Sequence, residues 1–475
     1  MELIDEEGRL FGVVNVIDAL AVLLVLAVVV AGIALVDPFG GTASRSENAT
    51  RYATIEIQDQ PSYIAELFAE GDVMSLPGTE QTVTVTDVFI TPTPGEKVSV
   101  SLRVRVNGSL QDSPNRVGQT FLFGGRTIQQ GGPITVETGE YTANGSVTRL
   151  SPSDPNLDTC RTPIELTATL SPTTARRISP GDNVTIAGRQ IAEITDVYVG
   201  PGTNPDNRHV RLIVALETLQ RSGGLSYGGQ DLVLDGDLSL TTDEYRISGR
   251  IDSIDADGIP RTTTDVAIET TVSRRLADEI AVGDEYRLAN STVATVRSID
   301  AYPAGNQERT RVVLGLELAT VGVDGDQFFG DTRVQLGSTI PLETDAYRLS
   351  GTVTNRGSLA PPGETTTKTV VVEVSDVAPE FADGIAVGMT EGGDATTARI
   401  VDKRVEPATV ILTSESGEIF QREHPRNVDV YLTVEVQVRD TRTGLRFHSR
   451  SLQEGTTITL DFRTISVRGT VIEIE

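Results

Sequence analysis

The chain is poor in the residues that build most reactive and metal-binding centres. Its 475 residues include one cysteine, Cys160, and three histidines, His209, His424 and His448. A single cysteine excludes an intramolecular disulfide and a cysteine-based metal site, and the histidines lack the spacing of a metal or catalytic site. We therefore expect surface histidines, no cofactor and no enzymatic activity. Cys160 is expected to be inert, although a bond to another chain stays open.

Lysine is almost absent as well, with only Lys97, Lys368 and Lys403. The 67 acidic residues outnumber the 40 basic ones, and the formal net charge is −27. An acidic, lysine-poor surface suits near-saturated salt, which screens its self-repulsion. The composition thus indicates a halophilic protein. The same charge argues against nucleic-acid binding, which needs a basic patch.

Long apolar runs are confined to one place near the N-terminus. The stretch from Phe11 to Val36 is long enough to span a bilayer, and Asp37-Pro38 ends it sharply. A cleaved signal peptide is the competing interpretation, but the first ten residues are acidic and no small-x-small cleavage site follows. We predict a cytoplasmic tail at residues 1–10, a transmembrane helix at 11–36 and a linker at 37–51.

The orientation of this anchor in the membrane is inferred from the residues that follow it. Asn15 and Asp18 fall in the first turns, at head-group level, unless Asp18 contacts another membrane subunit. Five Asn-x-Ser/Thr sequons follow the helix, although single sequons also arise by chance; they are Asn48, Asn107, Asn144, Asn183 and Asn290. Together with the acidic surface they favour a single-pass protein of the cell membrane, with its N-terminus inside and the rest extracytoplasmic.

Beyond the anchor, one motif occurs four times, at residues 132–147, 236–251, 337–353 and 455–471. Its apolar positions alternate on both sides of a short step, which predicts two strands. Residues two apart in a strand share a face, and the shared signature is Tyr141, Gly145, Tyr245, Gly249, Tyr347, Gly351 and Gly469. We interpret these as barrel core positions; a ligand pocket around the tyrosine is the alternative. The last copy has Phe462 and Ile465 instead of Thr and Tyr, as in an atypical terminal repeat.

The other landmarks of the repeat also keep their order. Each copy has an opening strand, a glycine turn and a long alternating strand, which predicts small barrels. Gly181-Asp182 and Gly283-Asp284 recur as turn residues rather than carboxylate ligands, and Asp324-Gly325-Asp326 resembles a calcium loop without its remaining ligands. The predicted fold is all-β, with four tandem small antiparallel β-barrel modules after a single N-terminal transmembrane helix. The modules are residues 52–150, 163–254, 265–356 and 369–475.

Two segments carry resemblances to known families. Residues 3–23, LIDEEGRLFGVVNVIDALAVL, resemble the start of domain-of-unknown-function family 4330, membrane proteins of cyanobacteria and halophilic archaea; the resemblance implies no known activity. Residues 181–194, GDNVTIAGRQIAEI, are similar to the mammalian-cell-entry (MCE) domain. That similarity implies barrels that form rings around a lipid-conducting channel. The polar loops at 107–119 and 320–327 differ from the apolar lining that such a channel needs.

Two functions therefore remain as hypotheses. The first is a structural or scaffolding role in the cell envelope, and the alternative is an MCE-like ring or tube for lipid or other hydrophobic cargo. The expected partners are the membrane, through the N-terminal helix, further copies of the chain and envelope proteins. A ring requires an exposed apolar stripe shared by the modules, and a scaffold does not.

Overall fold

A computed structural model describes residues 9–10, 14–15, 47–93, 97–112, 119–304, 308–391, 397–413, 419–462 and 464–475. Two short strands, β1 (Arg9–Leu10) and β2 (Val14–Asn15), form an antiparallel pair. Val14 and Asn15 thus lie in a strand, whereas we expected them in a helix; Asp18 and the rest of the apolar run lie outside the described residues. Among the described residues, no helix combines the length and the apolar character needed to cross a membrane.

The remainder consists of four eight-stranded antiparallel sheets. The first comprises β3 (Glu47–Pro61), α1 (Ser62–Ala65), β4 (Val73–Ser75), β5 (Thr82–Thr93), β6 (Lys97–Asp112), β7 (Gln119–Phe123), β8 (Arg126–Thr127), β9 (Pro133–Glu137) and β10 (Thr142–Ser151). The second comprises β11 (Thr159–Leu170), α2 (Pro172–Ala175), β12 (Asn183–Ile186), β13 (Arg189–Pro201), β14 (Arg208–Arg221), β15 (Gly224–Tyr227), β16 (Gln230–Asp231), β17 (Asp237–Thr241) and β18 (Arg246–Ile254).

The other two sheets repeat the same order. The third comprises β19 (Arg261–Ser273), α3 (Arg274–Glu279), β20 (Glu285–Leu288), β21 (Ser291–Pro303), β22 (Arg309–Val323), β23 (Asp326–Phe329), β24 (Thr332–Arg333), β25 (Thr339–Glu343) and β26 (Arg348–Arg356). The fourth comprises β27 (Glu364–Val377), α4 (Pro379–Asp383), β28 (Thr390–Glu391), β29 (Ala398–Thr413), β30 (Ile419–Thr441), β31 (Gly444–Phe447), β32 (Arg450–Ser451), β33 (Thr457–Asp461) and β34 (Ser466–Ile474).

The four antiparallel sheets confirm the predicted all-β fold, and three of them curl into a barrel or half-barrel. In module 1 the order β3-β10-β9-β4-β5-β6 closes because β6 also pairs with β3. In modules 2 to 4 the equivalents of β3 and β6 pair as well, but among the described residues the equivalents of β4 and β9, such as β12 and β17, do not pair. In every module a short hairpin, such as β15–β16, continues from the long strand. The two-residue second strand of this hairpin is too short to show a period, so the sequence pattern did not indicate it.

The opening strands begin earlier than the sequence pattern indicated. Strand β3 starts at Glu47, inside the predicted linker, and β11, β19 and β27 start at Thr159, Arg261 and Glu364. The first three residues of β19 are all exposed. Residues that are exposed on both faces of a strand show no apolar alternation, and for that reason the pattern missed them.

The signature glycines permit close approach to the opening strand of each barrel. A Cβ atom on Gly145 would lie 2.6 Å from the Glu56 carbonyl oxygen, and one on Gly249 would lie 2.6 Å from that of Thr167. A Cβ on Gly469 would lie 2.5 Å from Val372 Cγ1. Any larger residue must displace the neighbouring strand.

The Thr-x-x-Tyr step of the signature is a turn held by the threonine hydroxyl. Thr344 Oγ1 accepts a hydrogen bond from the Tyr347 backbone N–H at 3.1 Å, as Thr242 does from Tyr245 at 3.2 Å. In module 4 the hydroxyl is lost, but Phe462 N still donates to the Ile465 carbonyl at 3.0 Å. The terminal repeat thus keeps the backbone turn without its side-chain support.

In modules 2 and 3 the signature tyrosine also binds the aspartate of the glycine turn. Tyr347 donates its hydroxyl hydrogen to Asp284 Oδ2 at 2.6 Å, and Tyr245 donates to Asp182. Burial, together with the hydrogen bond to Asp284, raises the pKa of Tyr347, so its hydroxyl stays a donor. The carboxylates of the two Gly-Asp pairs therefore hold turns together, in agreement with the turn interpretation.

Replacing Tyr347 with phenylalanine tests this contact. We expect a loss of about 1 to 2 kcal/mol in the free energy of unfolding, because the variant lacks a hydrogen bond to a charged group. Tyr141→Phe is the matched control, since the Tyr141 hydroxyl is buried and has no hydrogen-bond partner among the described residues; this variant should be at least as stable as the wild type. Urea unfolding in concentrated salt measures both. Equal losses in the two variants would contradict the role of Asp284.

Candidate functional site

Contacts divide the chain into two compact units. The first consists of residues 1–160, 186–191 and 217–232, and the second of residues 161–185, 192–216 and 233–475. The hairpin β15–β16 of module 2 belongs to the first unit, together with module 1. Each of the junctions between modules described below lies within one unit, and these junctions are the candidate functional sites.

In the first unit, the tip of the β15–β16 hairpin packs on strands β5 and β6. Gly228 N donates to Thr91 Oγ1 at 3.0 Å, and a Cβ atom on Gly228 would lie 2.6 Å from the Pro92 carbonyl oxygen. The next tip residue, Gly229, faces Ser99, with 3.0 Å between its Cβ position and Ser99 Oγ. Thr91 and Ser99 are both buried. The contact is so close that only glycine fits at the tip.

A buried ion pair reinforces this junction. Arg221, at the end of β14, pairs with Glu56 on the opening strand of module 1. The side chain of Glu56 is 6% exposed and that of Arg221 is 23% exposed. A carboxylate so removed from water requires its partner, because an unpaired buried charge is strongly unfavourable.

In the second unit, the β23–β24 hairpin of module 3 packs on module 2 in the same way. Tyr198 Oη donates to the Ala319 carbonyl at 3.1 Å and accepts from Gly330 N at 3.2 Å. A Cβ atom on Gly330 would lie 1.9 Å from the Pro201 carbonyl oxygen. Burial raises the pKa of Tyr198 and keeps its hydroxyl protonated. Around it lies an apolar cluster of Ile213, Ile259 and Val321.

His209 lies at this junction rather than at the surface, so our expectation for it was wrong. Its Nε2 atom is buried and has no hydrogen-bond partner among the described residues. Burial, and then the charge of Arg211, lowers the pKa of His209 below its ordinary value of 6.5. The folded protein therefore favours the neutral imidazole.

This shift predicts a loss of stability in mild acid. The unfolded chain takes up a proton as the pH falls through 6.5, while the folded chain resists until the pH reaches its lower pKa. The stabilisation is complete above 6.5 and decreases below it. We expect that acidification from about pH 7.5 to about pH 5.5 lowers the free energy of unfolding more in the wild type than in His209→Gln. An identical pH dependence of unfolding in the two proteins would contradict this.

The junction between modules 3 and 4 has a different hairpin tip. Its residues are His448 and Ser449, which adopt φ angles of 48° and 62° that glycine normally occupies. The His448 ring stacks on Phe447 and Tyr302, with centroid distances of 3.6 and 5.1 Å. Its Nε2 lies 3.0 Å from Glu391 Oε2, and its side chain is only 8% exposed. The expectation of a surface histidine was wrong here too, because the fold inserts this tip between two modules.

A cavity of about 750 Å³ opens beside His448. It is lined by both modules, and its polar side chains include Arg274, Asp278, Asp300, Tyr302 and Arg446. We did not predict this cavity from the sequence. The available signal was the replacement of a glycine tip by His-Ser in the fourth repeat.

The sites that we did predict are scattered over the surface. All five sequon asparagines are exposed, and so is Cys160. Asp324 and Gly325 form the turn of the β22–β23 hairpin, and Arg333 binds Asp326, the first residue of β23, at 2.6 Å. Within the described part of the chain, no three histidine, cysteine or acidic side chains come together as a metal site would require.

One family model matches part of this chain. The family model described as "Domain of unknown function (DUF4330)" matches residues 1–94 and 354–475. The match includes the segment at 3–23 that suggested it, but not residues 181–194, on which the MCE resemblance rests. That resemblance stays a prediction. No curated protein matches the chain.

Proposed function

We propose from the junctions a structural or scaffolding role in the cell envelope; the DUF4330 model that matches the two ends of the chain describes a domain of unknown function and indicates no activity. The chain is anchored by its N-terminal helix, and the modules are extracytoplasmic. The partners are the membrane, envelope proteins and further copies of the chain, not nucleic acid.

The observation that supports this role is the docking of one module on the next. At two junctions glycine tips contact the preceding barrel without space for a side chain, and at the first a buried ion pair joins Glu56 to Arg221. Interlocked neighbours transmit strain, because closely packed interiors are difficult to compress. Buried polar groups at these junctions thus connect modules, as a scaffold requires.

The proposed location is tested with the natural cysteine. Cys160 is the only cysteine and is exposed, so a membrane-impermeant maleimide should label it in intact cells. Cys160→Ser should abolish the label, and a cytoplasmic protein should remain unlabelled. Labelling of Cys160 only after lysis would contradict an extracytoplasmic location.

The proposed role is tested by opening one junction in the cell. Gly330→Val should undock module 3 from module 2, and we expect such cells to lyse sooner than wild-type cells when the external salt is lowered. Gly325→Ala, a change at a hairpin turn with no atom within 4 Å of its Cβ position, should lyse like the wild type. Identical behaviour of the Gly330→Val cells and the wild type would contradict a structural role.

One observation favours the alternative, an MCE-like ring that transports hydrophobic cargo. Leu234 and Leu336 occupy the same turn in modules 2 and 3 and are 59% and 67% exposed. The equivalent residues in modules 1 and 4 are Gln130 and Glu454, so the apolar position is not shared by all modules. Light scattering and negative-stain microscopy of the detergent-extracted chain in high salt decide between the two. A closed ring would support transport, and a monomer would contradict it.

A further inference from the structure

The three junctions differ in how completely they are filled. At the first two, Cβ atoms on the tip residues Gly228 and Gly330 would lie 2.6 and 1.9 Å from carbonyl oxygens of the preceding module. At the third, His448 and Ser449 occupy the tip, and the cavity of about 750 Å³ opens beside them. The third junction thus combines a tip without glycine and an adjacent cavity.

The His448 tip is unfavourable as a turn. Non-glycine residues with positive φ are strained, and such strain persists only where the surroundings enforce it. Here Phe447 and Tyr302 stack on the ring, and Glu391 Oε2 lies 3.0 Å from its Nε2 atom. Glycine would make the same turn without strain, as at Gly228 and Gly229. The turn itself therefore does not require histidine. The imidazole forms part of the cavity wall.

The cavity wall offers hydrogen-bonding groups of both signs. Arg274 and Arg446 line it as donors, and Asp278 and Asp300 line it as acceptors. None of these four side chains has a hydrogen-bond or ion-pair partner among the described residues. Because the opposite charges offset one another, the wall gives no strong preference for an anion or a cation. The ligand must accept hydrogen bonds from the arginines and donate them to the carboxylates, and a hydroxyl group can do both.

From this geometry we propose that the cavity between modules 3 and 4 binds a neutral polyhydroxylated ligand, a carbohydrate. Arginine and carboxylate groups are planar and can each bind two adjacent hydroxyls. The volume lies within the range of small-ligand sites, about 300 to 1,000 Å³. This proposal goes beyond the scaffolding role and does not depend on it, because it concerns the purified chain alone.

Titration calorimetry of the full-length protein in concentrated salt tests the proposal. The probes are glucose, galactose, mannose, maltose and trehalose, with sodium sulfate as an anionic control. We expect saturable binding of at least one sugar, weakened about tenfold by Arg446→Ser and by Asp300→Ala, because each variant loses hydrogen bonds to a charged group. Arg442→Ser, at an exposed position of the same module, should bind like the wild type.

A second variant separates ligand binding from folding. His448→Gly restores the glycine tip of the other junctions, so the chain should keep its fold, as measured by thermal unfolding, and lose the sugar. Binding of none of the sugars would overturn the proposal. Sulfate binding that Arg446→Ser abolishes would identify an anion site and overturn it as well. So would sugar binding that is unchanged in all three cavity variants.

Discussion

Gly330→Val is expected to undock the β23–β24 hairpin and to destabilise the second unit by about 3 to 5 kcal/mol, from positive-φ strain and overpacking together. The valine Cβ would lie 1.9 Å from the Pro201 carbonyl oxygen. Because that oxygen belongs to the backbone, it cannot rotate away as the end of a flexible side chain could. The φ angle of 65° adds strain for any side chain. Urea unfolding of the full chain measures the loss, and hydrogen exchange at residues 326–333 localises it.

Gly325→Ala is the matched control for this clash. Gly325 lies in the turn between β22 and β23 and has a φ angle of 86°, but a Cβ atom there would meet nothing within 4 Å. The control therefore adds backbone strain alone, with a loss of about 1 kcal/mol. If Gly325→Ala destabilises the protein as much as Gly330→Val, close docking is not what the glycine tip provides.

Glu56→Gln should destabilise the first unit by about 3 to 5 kcal/mol, the range for breaking a buried ion pair by removing one partner. The change leaves the guanidinium of Arg221 without its buried counter-charge at the junction. Salt screens buried pairs less than exposed ones, so the loss should persist in concentrated salt. Urea unfolding of the variant at two high salt concentrations measures it.

An exposed pair serves as the control for Glu56→Gln. Arg297 and Glu317 are 2.7 Å apart, and both side chains are more than one third exposed. Glu317→Gln should leave the unfolding transition unchanged, because solvent screens such a pair. Equal effects of the two substitutions would show that the Glu56 pair contributes no more than a surface contact.

Much of the fold was predictable because its signals are local. The alternation around Leu238 and Leu240 identifies one arm of a strand pair, and the Thr-x-x-Tyr step places the turn. The signature glycine could be interpreted as a site of close approach before any contact was known, since an exposed strand has no need for it. The strand pair joins residues five to thirteen positions apart, a distance over which periodicity is informative.

The junctions were not predictable in the same way. Gly228 binds Thr91, which is 137 positions away in the chain. Nothing near either residue distinguishes that contact from an ordinary hairpin turn. The predicted exposure of the histidines was wrong for the same reason. His209 and His448 have polar neighbours in the sequence, and only the docking of a neighbouring module buries them.

By itself, the sequence determined an all-β chain of four repeated modules, because neighbouring residues determine strand periodicity and turns. It also determined the DUF4330 resemblance of the N-terminal segment. Only the tertiary structure decided which hairpin tip meets which barrel and where the cavity beside His448 opens. Such contacts depend on the shapes of surfaces brought together from distant segments, and periodicity along the chain carries no information about those shapes.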